Sequence, residues 1–137
     1  MSKRRVVITG VGIISSIGNS YTEVKKSLIA GRSGVESVAE WEKLGIGSTV
    51  AGTIKDADSL ESALNLPTRK RNQLSNASRY CIISAQHAVT DANLEAKELE
   101  RSTGCFIGNG VSALYPVYDH SVKLYEGNLR RGSPTPL

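Results

Sequence analysis

Apolar and polar positions follow two regimes along this chain: short continuous apolar runs that stop at glycine, and longer stretches in which apolar residues recur every three or four positions. The first run, Val6-Val7-Ile8-Thr9, is β-branched throughout and stops at Gly10, which predicts a strand. Because no polar residue alternates with the apolar ones, cover on both faces is expected, as in an α/β sheet. A capping pattern follows at Ser20-Tyr-Thr-Glu23, and Val24, Leu28 and Ile29 give the ensuing helix an apolar side. Gly31 sits where a helix of this length passes into a left-handed C-terminal turn.

Residues 32–66 carry weaker signals. Trp41 and Leu44 fit one short helix, and Thr49 to Ile54 fits a short strand. After Pro67 the pattern strengthens. Leu74, Ala77, Cys81, Ala85, Ala88 and Ala92 recur at spacings of three and four with no Gly or Pro between them. This predicts a long helix with a narrow stripe of small residues, able to approach a neighbour closely. Cys81 lies on the stripe and reads as core filler, whereas His87 lies off it and reads as a surface residue. A charged stretch from Glu95 to Arg101 leads to a second predicted strand, Thr103 to Ile107, which breaks at Gly108-Asn-Gly110. A third helix is expected from about Ser112, with Leu114, Tyr118, Val122 and Tyr125 on one face and Pro116 tolerated in its first turn. The remainder, through Arg130, Arg131, Ser133, Pro134 and Pro136, reads as loop.

Composition narrows the class. The 137 residues are 39% hydrophobic and 22% charged, an ordinary globular balance, and one domain or part of one is expected. A compact chain of this size buries about 68% of its unfolded surface. The two cysteines, Cys81 and Cys105, form no disulfide framework and no Cys/His metal-ligand cluster, so a reducing, cytoplasmic setting without a metal is expected. The basic and then apolar N-terminus resembles a leader, but Gly10 and Gly12 interrupt it and it is too short to span a bilayer. Net charge is +4, bunched at Lys3-Arg4-Arg5, Arg69-Lys70-Arg71 and Arg130-Arg131. Such clusters suit an acidic partner. No zinc spacing, RNP-like aromatic motif or basic heptad helix supports nucleic acid as that partner.

The opening glycines raise the question of a phosphate loop, and their spacing argues against one. A dinucleotide fingerprint needs Gly-x-Gly-x-x-Gly directly opening a helix, because the pyrophosphate rests on that helix's N-terminus. Here Gly10-Val-Gly-Ile-Ile-Ser15 has serine at the third position and the helix begins only near Ser20. A P-loop needs Gly-Lys-Ser/Thr, and Gly18-Asn19-Ser20 lacks the lysine. The glycines are therefore expected to let the backbone turn and lie close to another segment.

Several blocks in order carry a family resemblance. "RRVVITGVGIISSIGNS" with "LIAGRSGV", then "LSNASRYCIISAQHAVTDANL", "TGCFIGNG" and "RRGSPTPL" together resemble the N-terminal part of the beta-ketoacyl-[acyl-carrier-protein] synthases. The resemblance covers nearly the whole chain and is weakest over 36–66. It implies a thiolase-like α/β fold with αβαβα layers, two duplicated halves that each hold a five-stranded mixed sheet, and a homodimer. This chain would hold only part of the first half. The implied activity is decarboxylative condensation of an acyl thioester with a malonyl group in fatty acid synthesis. The alternative is a non-catalytic chain-length partner of a polyketide ketosynthase.

The implied nucleophile is a cysteine at the start of a buried helix, where the thiolate is favoured, assisted by two histidines or a histidine and an asparagine. Cys105 in Ser102-Thr-Gly-Cys105 is followed by Phe106-Ile107-Gly108, a continuing strand, and Cys81 falls inside a helix, so neither matches. His87 and His120 do not resemble the family's histidine motifs and read as surface or structural residues. The catalytic set is thus expected beyond Leu137, leaving the piece inactive alone. The resemblance implies no cofactor of the synthase itself, since 4'-phosphopantetheine arrives on the acyl carrier protein. That acidic partner is expected to dock on Arg69, Lys70 and Arg71, with neither nucleic acid nor membrane involved.

Overall fold

Helix α1, Tyr21–Ile29, begins where the capping pattern places it. The Ser20 hydroxyl accepts from the Glu23 amide at 3.3 Å, and the Glu23 carboxylate reaches one residue further back than a capping box requires, accepting from the Asn19 N–H at 2.8 Å. The far end closes through Gly31 at φ 62°, with Arg32 N–H donating to Ser27 O at 2.9 Å and Gly31 N–H to Leu28 O at 3.1 Å. Those two bonds satisfy carbonyls that the helix leaves unpaired. The coordinates are a computed structural model and describe residues 4–110 and 114–127. Lys3, the Ser112 helix start and the basic and Ser-Pro residues 130–136 lie outside the described residues.

After α1 the chain forms strand β1 (Val35–Ser37), helix α2 (Ala39–Lys43) and strand β2 (Val50–Gly52). The two strands pair antiparallel with Glu36 opposite Ala51. The short helix at Trp41 and the strand near Thr49 to Ile54 are thus present, and β1 is an element the sequence pattern did not single out. Helix α3, Ala57–Ala63, also went unpredicted. The long helix expected after Pro67 is two: a one-turn helix α4, Thr68–Arg71, and α5, Asn76–Asp91. Ser75 separates them because its hydroxyl caps α5, accepting from the Ser78 N–H at 3.2 Å. Two further helices complete the described chain, α6 (Ala96–Ser102) and α7 (Leu114–Tyr125). The charged stretch from Glu95 is therefore helical, begun by the Glu98 carboxylate accepting from the Glu95 N–H at 2.8 Å. Pro116 sits in the first turn of α7, where its missing N–H has no helical acceptor to lose.

The core lies where α3 meets α5. Leu60, Leu64 and Ile83 are buried, with Ile14, Ile54, Leu66, Tyr80 and Ile82 packed around them. Ile83, at 1% exposure, is the centre. The anticipated stripe of α5 is accordingly corrected. Cys81 and Ala85 are exposed, and the side facing α3 is the one carrying Ile83. The far end of the stripe does receive a close neighbour, the glycine segment. A Cβ on Gly12 would fall on the Ser84 carbonyl oxygen and within 2.8 Å of the Ala88 amide, and one on Gly10 would lie 2.6 Å from the Ala92 amide. The Ser84 hydroxyl donates to Gly12 O at 2.6 Å, and the Val11 N–H donates to the Asp91 carboxylate at 2.9 Å.

Neither predicted N-terminal nor predicted late strand forms a ladder among the described residues. Residues 6–9 and 103–107 form no regular secondary structure, and Val6 and Phe106 are 95% and 97% exposed. A strand exists only through the hydrogen bonds of a neighbour, and the sole described pairing of strands is β1 with β2. Likewise Leu28 and Ile29 of α1, and Leu114, Tyr118 and Tyr125 of α7, are exposed despite their apolar periodicity.

Candidate functional site

Arg69, Lys70 and Arg71 occupy the one turn of α4. Pro67 begins it, its carbonyl accepting from the Lys70 and Arg71 N–H groups at 2.9 and 3.0 Å. Arg69 and Lys70 are exposed and Arg71 is half-buried, so the structure brings all three onto one turn at the surface. No residue of α4 is buried, so this turn has no side-chain anchor of its own in the core. A four-residue helix is unstable alone, because the first turn fixes several dihedrals for a single hydrogen bond.

Beyond its own backbone bonds, among them Leu74 N–H donating to the Arg71 carbonyl at 3.2 Å, the turn is tied to its neighbours by Arg79, one turn into α5. Its guanidinium donates to Glu61 Oε1 of α3 at 2.7 Å and to the Arg71 carbonyl at 3.2 Å. Arg79 is 17% exposed and its Nε is buried without a partner. A cation at this position also meets the negative end of the α4 turn favourably. The sequence reading overlooked Arg79 and Glu61. A signal was present: Arg79 is the only Lys, Arg, Asp or Glu between Arg71 and Asp91. A charge within so apolar a helix calls for a partner.

The other candidate groups are dispersed. Cys105 is exposed in the segment after α6, and Cys81 borders an apolar cavity of about 360 Å³ between α5 and residues 107–109, walled by Ala77, Ile82 and Ile107. His87 is half-buried, beside a groove it shares with Val11, Tyr21 and Asp91, and is less exposed than expected because the glycine segment runs alongside. His120 is half-buried on α7. Among the described residues no three His, Cys, Asp or Glu side chains converge as metal ligands would. None of the described helices is long and apolar enough to cross a membrane. On the hairpin, the Lys55 ammonium and then the Thr53 hydroxyl bond the Glu36 carboxylate and hold its pKa below the ordinary glutamate value. This trio ties β1 to the segment after β2.

Against known proteins, residues 3–137 match the family model described as "Beta-ketoacyl synthase, N-terminal domain". The chain belongs to the beta-ketoacyl synthase family. It is 44% identical over 112 residues to 3-oxoacyl-[acyl-carrier-protein] synthase 1 of Buchnera aphidicola subsp. Acyrthosiphon pisum, a match spanning 80% of this chain and 26% of that protein. It is 32% identical over 135 residues to 3-oxoacyl-[acyl-carrier-protein] synthase 2 of Vibrio harveyi, covering 98% of this chain and 32% of that one. Among solved structures, "The ishigamide ketosynthase/chain length factor" superposes with a TM-score of 0.72 at 26% identity, over 97% of this chain and 33% of the other. The fold is therefore that of the ketosynthase N-terminal domain, thiolase-like as the resemblance implied. This beta-ketoacyl synthase chain spans about a quarter to a third of the length of the relatives it matches.

Proposed function

We propose that residues 1–137 are the N-terminal portion of a 3-oxoacyl-[acyl-carrier-protein] synthase, part of the first thiolase-like half. The whole protein condenses an acyl thioester with malonyl-ACP, releasing carbon dioxide, in fatty acid elongation. The observation that carries this reading is the 44% identity to a synthase 1 over 112 residues. In this reading segments 6–9 and 103–107 are sheet strands whose partners come from the rest of the family length, which accounts for their exposed apolar residues. The protein works as a cytoplasmic homodimer, needs no cofactor of its own, and receives phosphopantetheine with its carrier.

The chain itself supplies no catalytic residue. Cys105 begins no helix, since α6 ends at Ser102 and the next described helix opens at Leu114. Cys81 lies past the first turn of α5, beyond the reach of that helix's N-terminal field. What the chain supplies instead is Arg69, Lys70 and Arg71, a cationic turn on which an acidic carrier protein docks. Exposed pairs of this kind contribute about 1 kcal/mol or less each and chiefly speed the encounter.

A second reading, the non-catalytic chain-length partner, is favoured by the superposing structure, which is named for both a ketosynthase and a chain length factor. One assay separates them. The product of the complete reading frame is incubated with acyl-ACP and malonyl-ACP, and 3-oxoacyl product and carbon dioxide are measured. Condensation is expected, and Cys105→Ala is expected to retain it. Lost chemistry in a folded Cys105→Ala protein would show the nucleophile assignment wrong, and no condensation by the parent would favour the second reading.

A further inference from the structure

We propose that Arg79 is a positioning residue for carrier-protein docking, bridging Glu61 and the Arg71 carbonyl so that the cations of α4 are presented in one fixed arrangement; this rests on the docking reading given above. The turn holds three adjacent cations that repel one another, is four residues long and buries no side chain. Left to itself it would fray, and three long side chains on a frayed turn would lose more freedom on meeting a partner. The Arg79 guanidinium removes that freedom beforehand. Its fork engages the Glu61 carboxylate on one side and the carbonyl at the end of the basic turn on the other, joining α3, α4 and α5 at one side chain. At 17% exposure, Arg79 is too sheltered to be one of the docking cations itself, and its charge is already answered by Glu61.

Positioning and direct attraction predict opposite signs for Glu61→Gln. The substitution makes the surface one charge more positive. If electrostatic attraction alone governed docking, an acidic carrier would bind more tightly. If Glu61 fixes Arg79, and Arg79 the turn, binding weakens.

The test uses the complete synthase and compares KM for a malonyl group on the carrier protein with KM for the same group on free pantetheine. A general fold defect moves both values, whereas a docking defect moves their ratio. Glu61→Gln is expected to raise the ratio about threefold and Arg79→Ala about fivefold, the range that a partly exposed ion pair of about 1 kcal/mol allows. Arg79→Lys, a single point donor without the fork, should fall between wild type and Arg79→Ala. Should Arg79→Ala fail to fold, the near-isosteric Glu61→Gln carries the comparison. An unchanged or lowered ratio in Glu61→Gln, with a raised ratio in Arg69→Ala/Lys70→Ala/Arg71→Ala, overturns the positioning role and leaves docking intact. An unchanged ratio in that triple variant overturns docking and the positioning role together.

Discussion

Substituting alanine for Gly12 adds one methyl group where the backbone of α5 already lies. The new Cβ would stand 1.8 Å from the Ser84 carbonyl oxygen and 2.8 Å from the Ala88 amide, and both neighbours are main-chain atoms of a 16-residue helix. A flexible side chain can swing aside, but a helix backbone moves only as a unit. Inserting a methyl group against so rigid a wall costs about 1–3 kcal/mol. The enforced separation also stretches the 2.6 Å bond from the Ser84 hydroxyl to Gly12 O, whose loss costs about 1 kcal/mol. Together they predict a destabilisation of about 2–4 kcal/mol. Urea unfolding of the wild type, Gly12→Ala and Gly47→Ala measures it. Gly47 has open space around it and no left-handed φ, so its alanine variant should match or slightly exceed wild type. A Gly12→Ala midpoint equal to that of Gly47→Ala, at unchanged m-value, would refute the close approach of the glycine segment to α5.

Two further outcomes are expected. Ile83→Ala empties the centre of the α3–α5 core and should lose about 2–3 kcal/mol by the same unfolding measurement, at the low end of such deletions because the small surrounding cluster can relax; a loss under about 0.5 kcal/mol would relocate the core. The Glu36 carboxylate should titrate below the ordinary glutamate range in a carbon-13 NMR titration, with Lys55→Ala moving it back up. Because its folded pKa is depressed, the carboxylate supports the hairpin above the ordinary carboxylate range, and that support fades as pH falls through the lowered value. A Glu36 midpoint indifferent to Lys55→Ala would refute the contact.

How legible each feature was depends on how local its cause is. The cap at Ser20, the left-handed Gly31 and the helix over residues 76–91 were readable because their hydrogen bonds join residues within a few positions of one another. The break at Ser75 is as local, yet the apolar spacing of Leu74 and Ala77 ran across it and obscured the cap. Helix α3 escaped because it is seven residues long and contributes just Leu60, with Leu64 at its end, to the core. The basic turn was visible as a run of three cations, but its contact with α5 was not, since Glu61 and Arg79 stand 18 positions apart and meet only after α3 and α5 pack.

By itself the sequence carried the family resemblance, the cap and glycine stop that bound α1, and the run of three cations after Pro67. Each follows from spacing within a short window, where chain geometry leaves few options. Tertiary structure decided which face of α5 is the core, why Gly10 and Gly12 must lack side chains, and that Arg79 meets Glu61 and the end of the basic turn. It also decided that Val6 to Thr9 and Thr103 to Ile107, though strand-like in composition, form no ladder among the described residues. Apolar β-branched residues record a preference for a buried sheet, but a sheet's hydrogen bonds belong to two segments at once, and one segment's sequence cannot supply the other.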